Sequence, residues 1–272
     1  MADNLIVGKP IEIRAAPSWV ELTVLSVLGA LIFFGTWQLV ATMGVVSPHV
    51  LPSPIAVIQQ TYLLEAEPFA GYRLHEHVYS SLRRFFFGFL LAVMLGVPLG
   101  LLMGRYRLID EIATPLFEAY RYVAPLAWVP FAALWFGTGI GGPVMVIFTG
   151  AFAPCVVNAY RGAQLVERHL IEAAQTLGAS NLRIVREVLM AGALPSILAG
   201  LRISAGLGWQ SLIGAELIVV SSGIGYLMVQ GQSNLAPAIV MSAMLVIGII
   251  GVVIDAFLRV LEGRISDRWG KM

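Results

Sequence analysis

Long apolar runs alternate with polar connecting segments along this chain. Each run approaches or exceeds the roughly 20 residues that a helix needs to cross a bilayer core. The pattern therefore predicts an all-α membrane protein with about six transmembrane helices. The predicted spans cover about residues 19–43, 85–103, 117–136, 143–160, 195–220 and 236–261.

Three polar segments interrupt this apolar pattern. Residues 47–84 contain four prolines and several charges, which predicts interfacial helices and loops outside the hydrocarbon. Residues 161–194 form a second long polar region and predict a helical hairpin between two spans. Residues 221–234, with the sequence SSGIGYLMVQGQSN, predict a loop or a re-entrant connection.

Small residues and prolines mark two of the predicted spans. In the second span, glycines at four-residue spacing predict a close approach of helix backbones in lipid: Gly96, Gly100 and Gly104. In the third span, Pro125 and Pro130 lie on either side of Trp128. A helix interrupted in this way either serves as a gate, by flexing or exposing carbonyl groups, or forms a packed kink.

The amino-acid composition supports a membrane protein. Hydrophobic residues make up 58% of the 272 residues, charged residues make up 12%, and the mean hydropathy is +0.83. The net charge of +1 gives no reason to expect a nucleic-acid partner. Cys155 is the single cysteine, which excludes an internal disulfide and a metal site of paired thiolates. We expect one membrane domain, residues 19–272, after a cytoplasmic segment of residues 1–18.

The positions of lysine and arginine predict which connections lie in the cytoplasm. With both termini inside, the second polar region also lies inside, together with its four arginines, Arg161, Arg168, Arg183 and Arg186. Arg73, Arg83 and Arg84 then fall outside, against the rule, but in a longer segment where the rule is weaker. The expected topology is multi-pass, with both termini and the hairpin in the cytoplasm.

The stretch IEAAQTLGAS, at residues 171–180, predicts the first helix and the turn of a hairpin at about residues 165–190. Gly178 supplies the positive φ that ends a helix, and Ser180 is placed to cap the next helix. Apolar stripes are predicted on both helices, at Leu170, Ala174 and Leu177 and at Leu182, Val185 and Leu189. These patterns alone fit a simple link between two spans as well as they fit a docking element.

The hairpin resembles the EAA signature of membrane subunits of binding-protein-dependent ABC importers. The residues EAA at 172–174 are followed by Gly178 and then by Val188 and Met190, while Ala191 stands where that signature usually has proline. Further blocks are similar to the nitrate, sulfonate, taurine and bicarbonate importer permeases: LPSPIAV, SLRRFFFGFLLAVMLGVPLGLLMG, VAPLAWVPFAALWFGTG, GLRISAGLGWQSLIGAEL and GIGYLM.

This resemblance implies a type I (MetI-like) importer permease fold with a cytoplasmic coupling helix. The residues implied to contact an ATPase are Glu172, Ala173, Ala174 and Gly178. A structural role for Glu172, such as capping or pairing with Arg168 four residues earlier, is the alternative. The implied partners are two cytoplasmic ABC ATPase subunits, which carry ATP and Mg²⁺, an extracytoplasmic substrate-binding protein, a second copy of the chain and membrane lipid. The chain itself is expected to bind no cofactor, to catalyse no reaction and to work by alternating access in a bacterial inner membrane.

The implied cargo is a small oxyanion such as a sulfonate, taurine, nitrate or bicarbonate. A neutral or heteroaromatic vitamin precursor is the alternative within the same class. An ion-driven secondary transporter or channel is a rival class, but it needs ionisable residues deep in the spans, and nearly all charges here lie at predicted helix ends. An intramembrane enzyme is disfavoured because the sequence contains no P-loop, HExxH or GxSxG motif.

Five residues are candidates for a translocation path or gate, with a structural role as the alternative for each: Arg121, Trp128, Asn158, Trp209 and Gln210. Arg121 lies three residues after Glu118 and can pair with it. Arg202 is expected to hydrogen-bond backbone carbonyls of another helix. Glu216 and Asp255 are expected to be structural.

The sequence HEH at residues 75–77 raises the question of a metal site. Its two histidines, two residues apart, point to different faces of a helix, and the sequence places no third ligand cluster near them. A surface loop without a metal is therefore expected at this position.

Overall fold

The computed structural model describes residues 19–44, 46–47, 50–218 and 220–269. The predicted cytoplasmic segment, residues 1–18, lies outside these ranges. The regular structure of the described residues is helical, apart from one isolated β-bridge between Phe69 and Tyr72. Contacts divide the chain into two units, with the boundary between Ile55 and Ala56.

The helices of the described chain are α1 (Trp19–Thr42), α2 (Pro54–Ala66), α3 (Leu74–Arg105), α4 (Arg107–Arg121), α5 (Val129–Phe136), α6 (Gly141–Leu165), α7 (Arg168–Thr176), α8 (Asn181–Arg183), α9 (Met190–Glu216), α10 (Ile224–Ser233) and α11 (Pro237–Trp269). A 3-10 helix, Pro125–Trp128, precedes α5. A π-helix, Ile184–Leu189, joins α8 to α9, so that the chain is helical from Asn181 to Glu216.

Five helices of the described chain are long and apolar enough to cross a membrane. They correspond to five of the predicted spans. The third predicted span, residues 117–136, is broken instead: α4 ends at Arg121, and the 3-10 helix and α5 follow. Ala124 leaves the helical region, with φ −57° and ψ 136°, because the ring of Pro125 crowds an α-helical residue before it.

The polar regions at residues 47–84 and 221–234 both contain helix. The first holds α2 and the beginning of α3, in agreement with the predicted helices between loops. At residues 221–234 the prediction of a loop is wrong for most of its length, because α10 occupies it, while the alternative of a re-entrant connection stays a prediction. Ile224 and Leu227, three residues apart, are fully buried, and burying this apolar pair favours a helix over a loop.

In the first unit, α1 exposes its apolar surface. Ile32 is 68% exposed and Phe33 is 64% exposed, which suits side chains that face lipid. The indole N–H of Trp37 donates a hydrogen bond to the carbonyl of Pro52 at 3.1 Å and ties the end of α1 to the segment that follows it.

In the second unit, α3 and α6 lie parallel and in contact along the predicted glycine stripe. A methyl group built on Gly96 would lie 2.8 Å from Cβ of Cys155, and one on Gly104 would lie 2.6 Å from Cβ of Ala163. Gly100 lies between them, against Ala159. The predicted close approach is confirmed, since no side chain larger than hydrogen fits between these backbones.

α9 packs antiparallel against α6, next to α3. A methyl group on Gly208 would lie 3.2 Å from Cβ of Ala151, while one on Gly162 would lie 2.9 Å from Cβ of Ser196. Between these contacts, the Cys155 thiol lies 3.1 Å from the Ser204 hydroxyl. α6 is therefore the central helix, and α3, α6 and α9 form the packed core of the bundle.

The two ends of this bundle differ. At one end, called the hairpin end, α7 and α8 connect α6 to α9. At the other, called the far end, α9 finishes and α10 and α11 begin. The largest apolar cluster of the described residues extends to the far end and includes Phe85, Trp209, Leu212, Ile224 and Leu227.

Candidate functional site

The turn of the hairpin is built around Gly178. This residue has a φ of +78°, and its N–H donates to the carbonyl of Gln175 at 2.9 Å. The next N–H, of Ala179, donates to the carbonyl of Ala174 at 3.0 Å. These paired bonds are the Schellman cap that ends many helices, and the predicted positive φ at Gly178 is confirmed.

The second arm of the hairpin starts at Ser180 and continues into α9. The Ser180 hydroxyl accepts a hydrogen bond from the N–H of Arg183 at 3.4 Å, which confirms the predicted cap. The π-helix at Ile184–Leu189 then leads directly into α9. Ala191, which replaces the usual proline, lies in the first turn of α9, and α9 is continuous even through Pro195.

The outer surface of the hairpin carries exposed leucines beside an ion pair. Leu177 is 88% exposed and Leu182 is 79% exposed, so Leu182 does not pack in the predicted stripe. The Glu172 carboxylate accepts from Nε of Arg168 at 2.9 Å, the pairing that the sequence predicted as its structural role. Because both partners are exposed, this pair contributes little to stability.

The inner surface of α7 borders a cavity of about 400 Å³. Ala173 is exposed on the outer side, whereas Ala174 is half-buried on the side of the bundle. The cavity is lined by polar side chains of α3, α6 and α7, among them Arg105, Gln164, Glu172 and Gln175. The four predicted coupling residues thus lie on one hairpin, with Glu172 reaching both its outer surface and the cavity.

Arg121 and Trp128 lie in the broken region between α4 and α5. Arg121 pairs with Glu118 at 2.7 Å, as the spacing predicts. Arg121 and Glu118 line a cavity of about 140 Å³, and Arg161 lines it too. The indole N–H of Trp128 is buried and has no acceptor among the described residues. Two arginines and one glutamate give this cavity a net positive lining.

The other three path candidates are not brought together. The Asn158 side chain donates to the carbonyl of Pro154 at 2.8 Å and packs against Gly200. Trp209 is 5% exposed and packs edge-on against Phe85, in the core of the bundle. Gln210 lies on the exposed side of α9. Asn158 and Trp209 thus have packing contacts inside the bundle, whereas Gln210 is accessible.

Two expectations about charged residues are wrong. Arg202 forms an ion pair with Asp255 of α11, not bonds to backbone carbonyls, because a carboxylate on the facing helix offers a stronger acceptor. His77 is fully buried within α3 and does not lie in a surface loop. His75 is exposed and pairs with Glu65 at 2.8 Å. Among the described residues, no group of side chains could hold a metal ion.

A buried polar cluster at the far end was missed as a functional group by the sequence analysis. The Arg84 guanidinium donates to the Glu216 carboxylate at 2.8 Å, and the Ser81 hydroxyl donates to the same carboxylate. The spacing of residues in the sequence could have indicated this cluster, because Ser81, Arg84 and Gly88 share one face of a helix. In the structure, Gly88 on that face of α3 packs on Ile147 of α6. An arginine on that face must be buried in the bundle and therefore needs a partner.

The fold and its hairpin define a multi-pass, all-α membrane protein of the importer permease class. The chain belongs to the family described as "Binding-protein-dependent transport system inner membrane component", which matches residues 96–268. It is therefore an inner-membrane subunit of an ABC importer, and its role is transport.

Two relatives and one solved structure illustrate this membership. The chain is 36% identical to the taurine transport system permease protein TauC of Escherichia coli K12 over 237 residues, which cover 87% of this chain and 86% of the relative. It is 32% identical to the nitrate import permease protein NrtB of a Synechocystis species, over 78% of this chain and 79% of the relative. Its fold is similar to a chain of the inward-facing MetNI methionine ABC transporter, with a TM-score of 0.61 at 19% identity over 71% of this chain and 95% of that chain.

Proposed function

We propose that the chain works as a homodimeric permease whose hairpins are driven by two cytoplasmic ABC ATPases. The observation that carries this proposal is the exposed pair Leu177 and Leu182 beside the hairpin turn, within the polar segment of residues 161–194. Leucines outside the hydrocarbon are stabilised when a partner surface covers them. One chain offers one such hairpin, and a symmetric pair of ATPases needs two.

In this proposal, Glu172, Ala173, Ala174 and Gly178 form the ATPase contact. ATP and Mg²⁺ bind to the ATPases, and this chain binds no cofactor of its own. The helix from Asn181 to Glu216 is about 50 Å long, at 1.5 Å per residue over its 36 residues, so a displacement of the hairpin reaches the far end. That displacement opens the bundle alternately to each side of the membrane.

We further propose that the hairpin end faces the cytoplasm, with both termini. The far end then faces an extracytoplasmic binding protein, which delivers the substrate. The positive-inside rule supports this orientation, because the arginines of residues 161–194 cluster at the hairpin end. The orientation is the one predicted from the sequence.

The proposed substrate is a small oxyanion such as a sulfonate, taurine, nitrate or bicarbonate. The similarity to a taurine transport permease and a nitrate import permease supports this class. The positively lined cavity at Arg121 and Arg161 is suited to an anion, and Trp128, Asn158 and Gln210 are the other proposed path residues. The fully buried position of Trp209 supports packing for that residue rather than contact with substrate.

The test is ATP-driven uptake by vesicles. The tagged chain is purified from its own membranes with its bound ATPase and reconstituted with the binding protein on the substrate side. Uptake of radiolabelled taurine, nitrate and bicarbonate is then measured with and without ATP. We expect uptake of at least one of these anions only with ATP, whereas ATP-independent uptake would show that the chain is a gradient-driven carrier.

A matched pair of variants tests the hairpin contact. Leu177→Glu places a charge in the proposed interface and is expected to weaken ATPase binding by about tenfold or more, the cost of one desolvated charge. Leu235→Glu is the control, since Leu235 is 85% exposed and lies at the far end, between α10 and α11. If Leu177→Glu binds the ATPase as the wild type does, the hairpin is not the docking surface.

A further inference from the structure

The first backbone N–H groups of α10 are bound by side chains of other helices. The N–H of Gly223 donates to Nδ1 of His77 at 3.2 Å, and the N–H of Ile224 donates to the Ser81 hydroxyl at 2.9 Å. The N–H of Gly225 donates to the Glu216 carboxylate at 3.0 Å. Helices normally satisfy these groups with their own N-cap side chain, but Gly223 has none. α10 is therefore capped by α3 and α9.

The carboxylate in this cap is fully desolvated and bound by several donors. The side chain of Glu216 has no exposed surface, and that of its partner Arg84 is 7% exposed. Besides the arginine and Gly225, the Ser81 hydroxyl lies 2.9 and 2.8 Å from the two carboxylate oxygens. A negative charge at the start of a helix is also stabilised by the helix dipole.

The guanidinium of Arg84 is oriented toward the turn before α10 as well as toward Glu216. Nη1 donates to the Glu216 carboxylate at 2.8 Å and to the carbonyl of Ser222 at 2.7 Å, and Nη2 donates to the Ser222 hydroxyl at 2.7 Å. Nε is buried and has no acceptor among the described residues. If the Arg84–Glu216 ion pair only joined α3 to α9, the guanidinium would favour two parallel hydrogen bonds to the carboxylate. The observed orientation instead directs two of its hydrogen bonds to Ser222, in the turn before α10.

The turn itself is shaped to approach Glu216. Gly223 has a φ of +110°, which disfavours other residues, and a methyl group there would collide with the Glu216 carboxylate. A methyl group on Gly225 would lie 2.6 Å from Cβ of Glu216. Glycine at both positions allows the backbone to reach the carboxylate.

We propose that Glu216, Arg84 and Ser81 are positioning residues that make α10 follow α9 during transport. Glu216 is the last residue of the helix that begins at the hairpin, so a displacement of the hairpin also moves the cap of α10. α3 holds the other half of the cap, through Ser81 and Arg84. This inference rests on the proposed function for its transport readout, although the cap itself does not.

A buried ion pair need not be retained for stability. Replacing such a pair with apolar residues of similar size is often neutral or stabilising, whereas removing one partner strands a buried charge. The double variant Arg84→Met/Glu216→Leu therefore removes the Glu216 part of the cap without stranding a charge, and it leaves His77 and Ser81 in place. The matched control is Arg202→Met/Asp255→Leu, which removes the ion pair between α9 and α11, together with the exposed Asp255–Arg259 pair within α11, and does not touch α10.

The first measurement is hydrogen–deuterium exchange of wild type and both double variants in detergent, and it needs no ATPase. We expect the amide of Gly225 to exchange about tenfold faster or more in Arg84→Met/Glu216→Leu, because it has lost its acceptor, the Glu216 carboxylate. The amides of α6 should be unchanged in both double variants. Unchanged exchange at Gly225 would overturn the role of Glu216 in the trans cap.

The second measurement is ATP-driven uptake by the same proteins. We expect Arg84→Met/Glu216→Leu to bind the ATPase normally but to transport about tenfold more slowly or worse, the loss expected for one charge-assisted hydrogen bond. The control should transport as the wild type does. Normal uptake by the cap variant, or an equal loss in the control, would overturn the positioning role. If the wild type itself shows no ATP-driven uptake, the proposed function fails, while the exchange result still decides the cap.

Discussion

At the scale of single residues, Gly178 determines the geometry of the hairpin. Its φ of +78° strains any residue with a Cβ, yet a methyl group there would meet no atom within 4 Å. Gly178→Ala is therefore expected to destabilise the turn through backbone strain alone, by about 1 kcal/mol. We expect weaker ATPase binding and slower uptake, measured with the purified variant in vesicles.

Asparagine provides the matched control for this substitution. It adds a larger side chain than alanine but adopts a left-handed backbone more readily. Gly178→Asn should therefore retain more binding and uptake than Gly178→Ala. The opposite ranking would show that side-chain size, rather than backbone conformation, governs this position.

The residue roles that the sequence predicted correctly depend on interactions between residues close together in the chain. Gly178, Ser180 and the Glu172–Arg168 pair depend on neighbours within a few positions along one helix or turn. His77 and Arg202 were misjudged because their partners come from other parts of the fold: Gly223 lies beyond α9, and Asp255 lies in α11. A single sequence gives no direct record of such pairings.

At the scale of helices, Gly100 allows α3 to contact α6. A methyl group there would lie 2.7 Å from Cβ of Ala159 and 2.9 Å from the backbone N of Tyr160. The backbone atom cannot rotate away, so Gly100→Ala should separate the helices and destabilise the fold by about 1–3 kcal/mol. Unfolding of the purified protein in detergent measures this loss.

Gly248→Ala is the control for Gly100→Ala. Gly248 also lies inside a long apolar helix, α11, but a methyl group there would meet no atom within 4 Å. This substitution should leave stability unchanged or slightly improved, because alanine favours helix more than glycine does. Equal losses in both variants would argue against close packing as the cause.

Helix positions followed from apolar length, but helix continuity did not. The predicted spans that became α1, α3, α6, α9 and α11 are long apolar runs. The third span also reads as one run, and its two prolines signalled an interruption without saying how large it would be. α10 was predicted as a loop or re-entrant connection because its glycines obscure the buried pair Ile224 and Leu227, which only tertiary packing makes helical.

At the scale of the whole molecule, one property remains to be measured: the side of the membrane that each end of the helix bundle faces. The helix from Asn181 to Glu216 is about 50 Å long, while a hydrocarbon core is roughly 30 Å thick. Residues just beyond its two ends should therefore reach water on opposite sides. Leu177, 88% exposed, precedes it, and Ile218, 70% exposed, follows it.

Cysteine labelling measures directly which side of the membrane each end of this helix faces. The native Cys155 is 2% exposed and should not react, so Leu177→Cys and Ile218→Cys each introduce one reactive thiol. In right-side-out vesicles prepared without the ATPase, which would otherwise cover Leu177, a membrane-impermeant maleimide should label Ile218→Cys and spare Leu177→Cys. Inside-out vesicles should show the reverse. Labelling of both from the same side would mean that this helix does not cross the membrane. A reversed pattern would place the hairpin outside, where no ATP-driven partner could reach it, and the proposed coupling would fail with it.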